Sequence, residues 1–326
     1  NSSWIQLGQD IDGESSPDES GKSVSLSSNG NIVAIGAWWN DANGDDAGHV
    51  RIYEYTNSSW IQLGQDIDGE NIYDRSGISI SLSSNGYTLA IGATENDGNG
   101  ADAGHVRVYN WSGTSWIQIG QDIDGEAPGD YSGRSVSLSS DGNTVAIGAH
   151  GNDGAAPDAG HVRIYNYNGS SWIQIGQDID GESSNNNSGA SISISNNGNT
   201  VAIGAINNDG NGAYSGHVRI YKYNNGSWIQ IGQDIDGEAA GDESGCSVSL
   251  SSNGNIVAVG ATFNNGNGSN SGHTRIYNNN LTNVNGCDST AILNLTINNP
   301  TSSYLSVVEC EDYIWSVNNV TYSTSG

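Results

Sequence analysis

A tryptophan returns every 56 residues, at Trp4, Trp60, Trp116, Trp172 and Trp228, each time near the start of a string close to S-W-I-Q-L-G-Q-D-I-D-G-E and with no insertion or deletion between copies. A fixed period of this length restricts the chain to a stack or ring of near-identical units. Three further segments recur in every period: S-V-S-L-S at 23–27, I-V-A-I-G-A at 32–37 and G-H-V-R-I-Y at 48–53. Each is short, alternating or β-branched, and bounded by Asn, Gly, Asp and Ser, which reads as a β-strand between turns. We name these strands A, B and C, and the tryptophan segment strand D. The A–B connection, Ser28 to Asn31 or Ser140 to Asn143, carries Asn-Gly or Asp-Gly, which tolerates positive φ and marks a hairpin.

Four antiparallel strands per 56 residues make a propeller blade; a β-helix coil is shorter, and helical periodicity is absent. Strand D occurs five times starting at Trp4, and strands A to C five times ending at Tyr277. The expected fold is therefore all-β, a five-bladed propeller over residues 1–280. Its ring closes if the first strand D, Trp4 to Gln9, becomes the fourth strand of the last blade; the alternative is that further blades precede Asn1 in a longer parent. Asn1 in place of Met also reads as a mature or excised segment.

Composition narrows the function. Lys and Arg number 9 against 36 Asp and Glu, a formal charge of −27, which argues against nucleic acid as a partner. No run approaches 18 apolar residues, so no membrane insertion is expected. A meander places the B–C and D–A loops at one end of the blade, and those loops hold 30 of the 36 acids. One rim of the ring is thus strongly acidic, and such crowding of like charge needs compensation. Calcium, a hard cation that takes oxygen ligands, is the expected cofactor. Its candidate ligands are Asp10, Asp12, Glu14 and Asp18; Asp66, Asp68, Glu70 and Asp74; Asp122, Asp124, Glu126 and Asp130; and Asp234, Asp236, Glu238 and Asp242. Asn186 stands where its siblings have Asp, which marks the fourth repeat as the weakest site.

Strand C carries His-x-Arg in all five copies, from His49 and Arg51 to His273 and Arg275. Residues two apart share a strand face. Because the pattern repeats in every blade, it reads as structural, with each Arg holding an acidic loop or a neighbouring carbonyl. The recurring Trp reads as packing between blades. Trp38 and Trp39 depart from their counterparts in the other repeats and begin a B–C loop, so Trp38, Trp39, Asp41 and Asn43 are the candidate ligand site, suited to a sugar ring.

The segment D-x-S-G-x-S-V-S-L-S-S-x-G-N-x-V-A-I-G-A, as at Asp130 to Ala149, resembles the FG-GAP repeat of integrin-α-type propellers and their secreted bacterial variants. Serine replaces the family's Phe before Gly, as in Ser132-Gly133. The family's Asp-rich calcium loop between strands A and B is reduced here to Ser-Asn-Gly-Asn, so that metal site is not carried over. Residues 281–326 resemble pieces of the small β-sandwich repeats of surface proteins of gliding bacteria, one module ending near C-D-S-T and another opening at V-E-C-E-D-Y-I-W. Cys287 and Cys310 are open to a mutual disulfide, while that module pattern pairs Cys310 with a residue beyond Gly326. Cys246 reads as a lone thiol.

No G-x-S-x-G, H-E-x-x-H or phosphate loop is present. The resulting expectation is a non-enzymatic adhesion module, extracellular at the cell surface, that contacts a glycan or protein ligand through the acidic face. Two alternatives stand beside it: a self-assembling spacer bound to neighbouring copies of itself, and a carbohydrate-active enzyme on a propeller scaffold.

Overall fold

The computed structural model describes residues 3–279 and a small antiparallel hairpin, Tyr313–Trp315 with Val320–Tyr322. The remainder of the expected C-terminal module, with Cys287 and Cys310, lies outside the described residues. All described regular structure is β-strand, in blades repeated along the chain. The third blade shows the plan. Strands A (Ser132–Leu138), B (Thr144–Ala149), C (His161–Tyr167) and D (Trp172–Gln174) pair antiparallel in that order. The chain then bends and returns as Ile179–Asp180, which pairs with Val162 and His161 at the start of strand C.

Local chemistry sets the turns. At the A–B corner of the third blade, Gly142 takes φ of 74°. Asp141 Oδ1 accepts from Asn143 N–H, and Ser139 Oγ accepts from Thr144 N–H at 2.9 Å, so the polar groups of the tight turn are satisfied locally. The core lies between blades. One cluster joins Val50 and Ile52 of the first blade to Ile80, Leu82, Leu89 and Ile91 of the second; Val162 and Ile164 meet Ile192, Ile194, Val201 and Ile203 in the same way further on.

The recurring Trp completes that packing. Trp116, Trp172 and Trp228 are buried, and their indole N–H groups donate to the carbonyls of Leu63, Ile119 and Ile175 in the preceding repeat at 2.7–2.9 Å. A conserved geometry of glutamine repeats beside it: Gln121 both donates to and accepts from the backbone of Trp172.

One detail differs from expectation. The fifth blade has three strands, Ser244–Leu250, Ile256–Ala261 and His273–Asn278, and the Trp4–Gln9 segment does not add a fourth. Instead Gln9 and Leu7 bind the backbone and indole of Trp60, so the segment repeats the contact made by each later strand D with the next tryptophan. The same pairing rule that links interior repeats holds this segment on the first blade.

Candidate metal centres on the acidic rim

Each strand C begins with a histidine at the acidic rim. His49, His105, His161 and His217 are 1% exposed. The backbone of His49 pairs with Asp68, from the D–A segment that follows the blade, while Glu14 arrives from the segment that precedes it. His49 Nδ1 lies 3.9 Å from Glu14 Oε2 and 4.0 Å from Asp68 Oδ1. In the fourth blade His217 Nδ1 lies 3.9 Å from Glu182, 3.8 Å from Asp234 and 4.0 Å from Asp236.

Four groups thus bring a carboxylate from each flank onto a buried imidazole: Glu14, His49 and Asp66; Glu70, His105 and Asp122; Glu126, His161 and Asp178; Glu182, His217 and Asp234. In each, one ligand atom per residue lies within 4.8 Å of the others. The fifth blade retains Glu238 at 3.5 Å from His273, but the position one period after Asp234 is Thr290.

Electrostatics allows these groups to hold a cation. Burial, helped by the adjacent arginine, lowers the imidazoles, to about 4 for His105, His161 and His217, so they are neutral near pH 7. Burial raises Asp68, Asp124, Asp180 and Asp236 above the ordinary carboxylate range. Three carboxylates and one guanidinium around a neutral imidazole leave about two negative charges per site, enough to favour a divalent ion.

The Nδ1 atoms of His49, His105 and His217 are buried without a hydrogen-bond partner, which a metal would satisfy. Spacings of 3.8–4.0 Å exceed the roughly 3.4 Å expected between ligands of a tetrahedral zinc with bonds near 2.1 Å. They also exceed the roughly 3.4 Å between neighbouring ligands of a six-coordinate cation with bonds near 2.4 Å, so the side chains would draw in on any ion they bound.

The expected ligands divide by position. Glu14, Glu70 and Glu126 enter the groups, as do Asp66, Asp122 and Asp234, while Asp10 accepts from Gln6 on an exposed edge. Asp12, Asp68, Asp124 and Asp236 give their backbone carbonyls to the arginines, as Arg51 to Asp12 at 2.7 Å; Arg51 also lies 3.4 Å from Glu14 and over Tyr53. Asp18, Asp74, Asp130 and Asp242 are buried beneath the loop. Asp130 accepts from the N–H groups of Glu126 and Ala127 and from Asn152 Nδ2 at 3.0–3.1 Å.

Asn186 therefore replaces a loop tie, and the fourth group, with Asp178 and Glu182, is complete without it. The sequence pattern read the histidines as structural and did not include this fourth group, although the spacing Glu, His at +35, Asp at +52 recurs four times. For the loop tie, Asp130→Ala should lower stability by about 1–3 kcal/mol, since three donors lose a buried acceptor. Asp130→Asn, the fourth repeat's own residue, should cost clearly less. Chemical denaturation of both variants distinguishes the two outcomes.

Trp38 and Trp39 are half-buried and stack on each other with centroids 5.0 Å apart. Lys22 and Arg75 lie over the Trp38 ring at 4.5 and 5.1 Å, its indole donates to Glu19, and Arg75 pairs with Glu95. The pair thus forms part of a latch between the first two blades. Asp41 accepts from Asp46 N–H, as Asp97 does from Asp102, and Asn43 donates to Gly69 and Glu70 carbonyls, as Asn99 does to Gly125 and Glu126.

The profile of the FG-GAP repeat matches residues 123–165, which span the end of one blade and most of the next. A RIP homotypic interaction motif profile matches 1–10, 56–66 and 166–178, segments that include strand D residues. Among curated proteins none matches significantly. Solved structures share the fold at low identity. The periplasmic gluconolactonase of Pseudomonas aeruginosa is similar at TM-score 0.52 and 15% identity, over 78% of this chain and 67% of that one. Hydrazine synthase of Kuenenia stuttgartiensis is similar at 0.51 and 12%, over 78% and 64%. A candidate 6-phosphogluconolactonase from Bacteroides uniformis is similar at 0.55 and 12%, over 93% and 77%. The chain spans about two thirds of the length of the first two.

These findings correct the expectation of a non-enzymatic adhesion module. The propellers that share this fold are named as enzymes, two of them for lactone chemistry, and adhesion has no support among them. The sequence pattern read the repeated histidines as structural, whereas the fold places His49, His105, His161 and His217 beside carboxylates from two flanks. Among the described residues no helix is long and apolar enough to cross a membrane.

Proposed function

We propose that this chain is a propeller hydrolase, dependent on a divalent cation, that opens the cyclic ester of a polyhydroxylated acid. The observation that carries the reading is the group of buried, neutral histidine and flanking carboxylates, built four times on the acidic rim. The lactone class is supported by the names of two of the similar structures, whose likeness to this chain is one of fold. Glu, His and Asp of each group would hold the cation, calcium first because carboxylates outnumber the imidazole among the donors and manganese second because of the imidazole. When bound, such an ion polarises an ester carbonyl and acidifies water.

The chain's own residues supply the remainder. Asp68, Asp124 and Asp180, with basicity raised by burial, stand beside the groups to take a proton from water. Arg51, Arg107 and Arg163 hold the glutamates in place. An extracellular location, where calcium is plentiful, is part of this proposal and is supported by the FG-GAP repeat.

The test is proton release from glucono-δ-lactone, followed in a pH-stat with EDTA-stripped protein and with calcium, manganese or zinc restored. Turnover above the spontaneous rate that EDTA abolishes and one cation restores is expected. The combined variant Glu14→Gln, Glu70→Gln, Glu126→Gln and Glu182→Gln, which alters all four groups, should lower it at least tenfold. If calorimetry shows cation binding without turnover, the hydrolase reading fails and the metal sites stand; absence of binding removes both.

A further inference from the structure

Three positions of the repeat, held in the third blade by Tyr131, Arg134 and His150, change chemical type from copy to copy while the strands beside them barely vary. The pairing of strands A and B brings the three together at the acidic rim. In the first blade the set is Glu19, Lys22 and Trp38: Lys22 lies 4.5 Å from the Trp38 ring, and the indole donates to Glu19 at 2.8 Å. In the second, Arg75 pairs with Glu95 at 2.6 Å. In the fourth, Asn187 accepts from Asn207, and in the fifth Cys246 lies 2.7 Å from Thr262 Oγ1. A contact from within the blade closes each of these four sets.

The third blade leaves its set open. Arg134 is exposed and sits in the bulge where the pairing of strands A and B slips between Ser132 and Ser135, a feature that turns a side chain out of the sheet. The other six arginines each pair with a glutamate. Among the described residues Arg134 has no such partner, in a chain with 36 acids and 9 cations. His150 Nδ1 is buried without a hydrogen-bond partner, although its ring packs on Tyr131 with centroids 5.4 Å apart and feels the charge of Arg134. Tyr131 holds φ of 53°, a conformation costly for a bulky residue. After His150 comes Gly151, where a Cβ would fall 2.3 Å from the Gly129 carbonyl oxygen and 2.9 Å from the Tyr131 ring, so this glycine lets the Tyr131 loop close over the spot.

We propose that Tyr131, Arg134 and His150 form a seat for one small oxyanion, a carboxylate or a phosphate group. The planar guanidinium matches two oxygens of either group, and the imidazole Nδ1–H gains in the same oxyanion the acceptor it lacks. Tyr131 walls the side that faces the second blade, where Arg75 and Glu95 act on its phenol. Ala149 pairs with His161, which puts the seat on the same rim as the third histidine group, yet none of that group's residues belongs to it. The seat goes beyond the hydrolase reading and does not rest on it, since it needs neither a cation nor turnover.

Isothermal titration calorimetry tests the seat on the whole chain, stripped of divalent cations and dialysed free of chelator, at fixed ionic strength and neutral pH. The probes are sodium phosphate, sodium gluconate and, as the uncharged control, sorbitol. Phosphate or gluconate should bind saturably at one equivalent per chain, and sorbitol should not; the tighter of the two anions identifies the group. Arg134→Ala installs the fourth repeat's own residue, Ala190, and His150→Thr installs Thr94 of the second, so both variants keep side chains that sibling blades already accept. Affinity should fall at least about tenfold in the first and severalfold in the second. Lys222→Ala, which removes a cation at the far end of strand C, should bind as the wild type does. Absence of saturable binding by both anions, binding that survives Arg134→Ala, or an equal loss in Lys222→Ala overturns the proposal.

Discussion

Gly148→Ala is expected to destabilise the protein by at least about 3 kcal/mol, a drop in melting temperature on the order of 5–10 °C. The cause is the distance between blades. A Cβ on Gly148, the last residue but one of strand B of the third blade, would fall 2.1 Å from the carbonyl oxygen of Gly189 and 2.5 Å from Ser135 Oγ. The first is backbone in the next blade and cannot rotate away, so the junction must open and the cluster around Val162, Ile192 and Val201 must loosen.

The repeat supplies its own control. Gly92 and Gly204 face the carbonyls of Gly133 and Gly245 at 2.1–2.2 Å and should behave as Gly148 does. Gly260, with no further blade among the described residues, has only Ser247 Oγ at 2.4 Å, which a rotamer change relieves. Thermal melts that ranked Gly260→Ala level with Gly148→Ala would show that inter-blade contact is not what requires glycine here.

The blades were legible because period, strand alternation and Asn-Gly turns act locally and point to one answer in every copy. Strand B of the first blade, Ile32–Ala37, lies where the pattern placed it, since β-branched residues, a bounding turn and burial all agree. The acidic rim was legible for the same reason: antiparallel order fixes which loops share an end.

The composition of each candidate metal group was not. Glu14 and Asp66 lie 52 residues apart, on opposite flanks of a blade, and only the register between His49 and Asp68 brings both to the imidazole. The sequence grouped Asp18 and its siblings with the other acids of each loop; in the fold that carboxylate is buried under its own loop and accepts from backbone N–H groups. The neighbours of Trp38 were not legible in the sequence: Arg75 comes from the next blade, and Lys22 and Glu19 meet the indole only once strands A and B are paired.

In EDTA, stability should fall steeply between pH 6.5 and pH 4, with the histidines as the principal cause. Burial lowers His105, His150, His161 and His217 to about 4 in the folded chain, against 6.5 when exposed, and His49 moves the same way. The unfolded chain therefore binds protons first as the pH falls. Stability is full above about 6.5, declines as the unfolded histidines charge, and stops declining from this source below about 4. A shift of 2–3 units corresponds to about 3 kcal/mol per fully buried histidine, so several together approach the whole stability of a typical domain.

His150 isolates the effect from the candidate cation sites, because it packs on Tyr131 with Arg134 as its charged neighbour and belongs to none of the four groups. Its counterparts in the second and fifth repeats are Thr94 and Thr262. His150→Thr should leave the melting temperature at pH 7.5 within a few degrees of the wild type and reduce the loss between pH 6.5 and 4.5. A variant whose pH dependence overlays the wild type would show that this imidazole stays hydrated enough to charge in the folded state, and would remove burial as the cause of its acid lability.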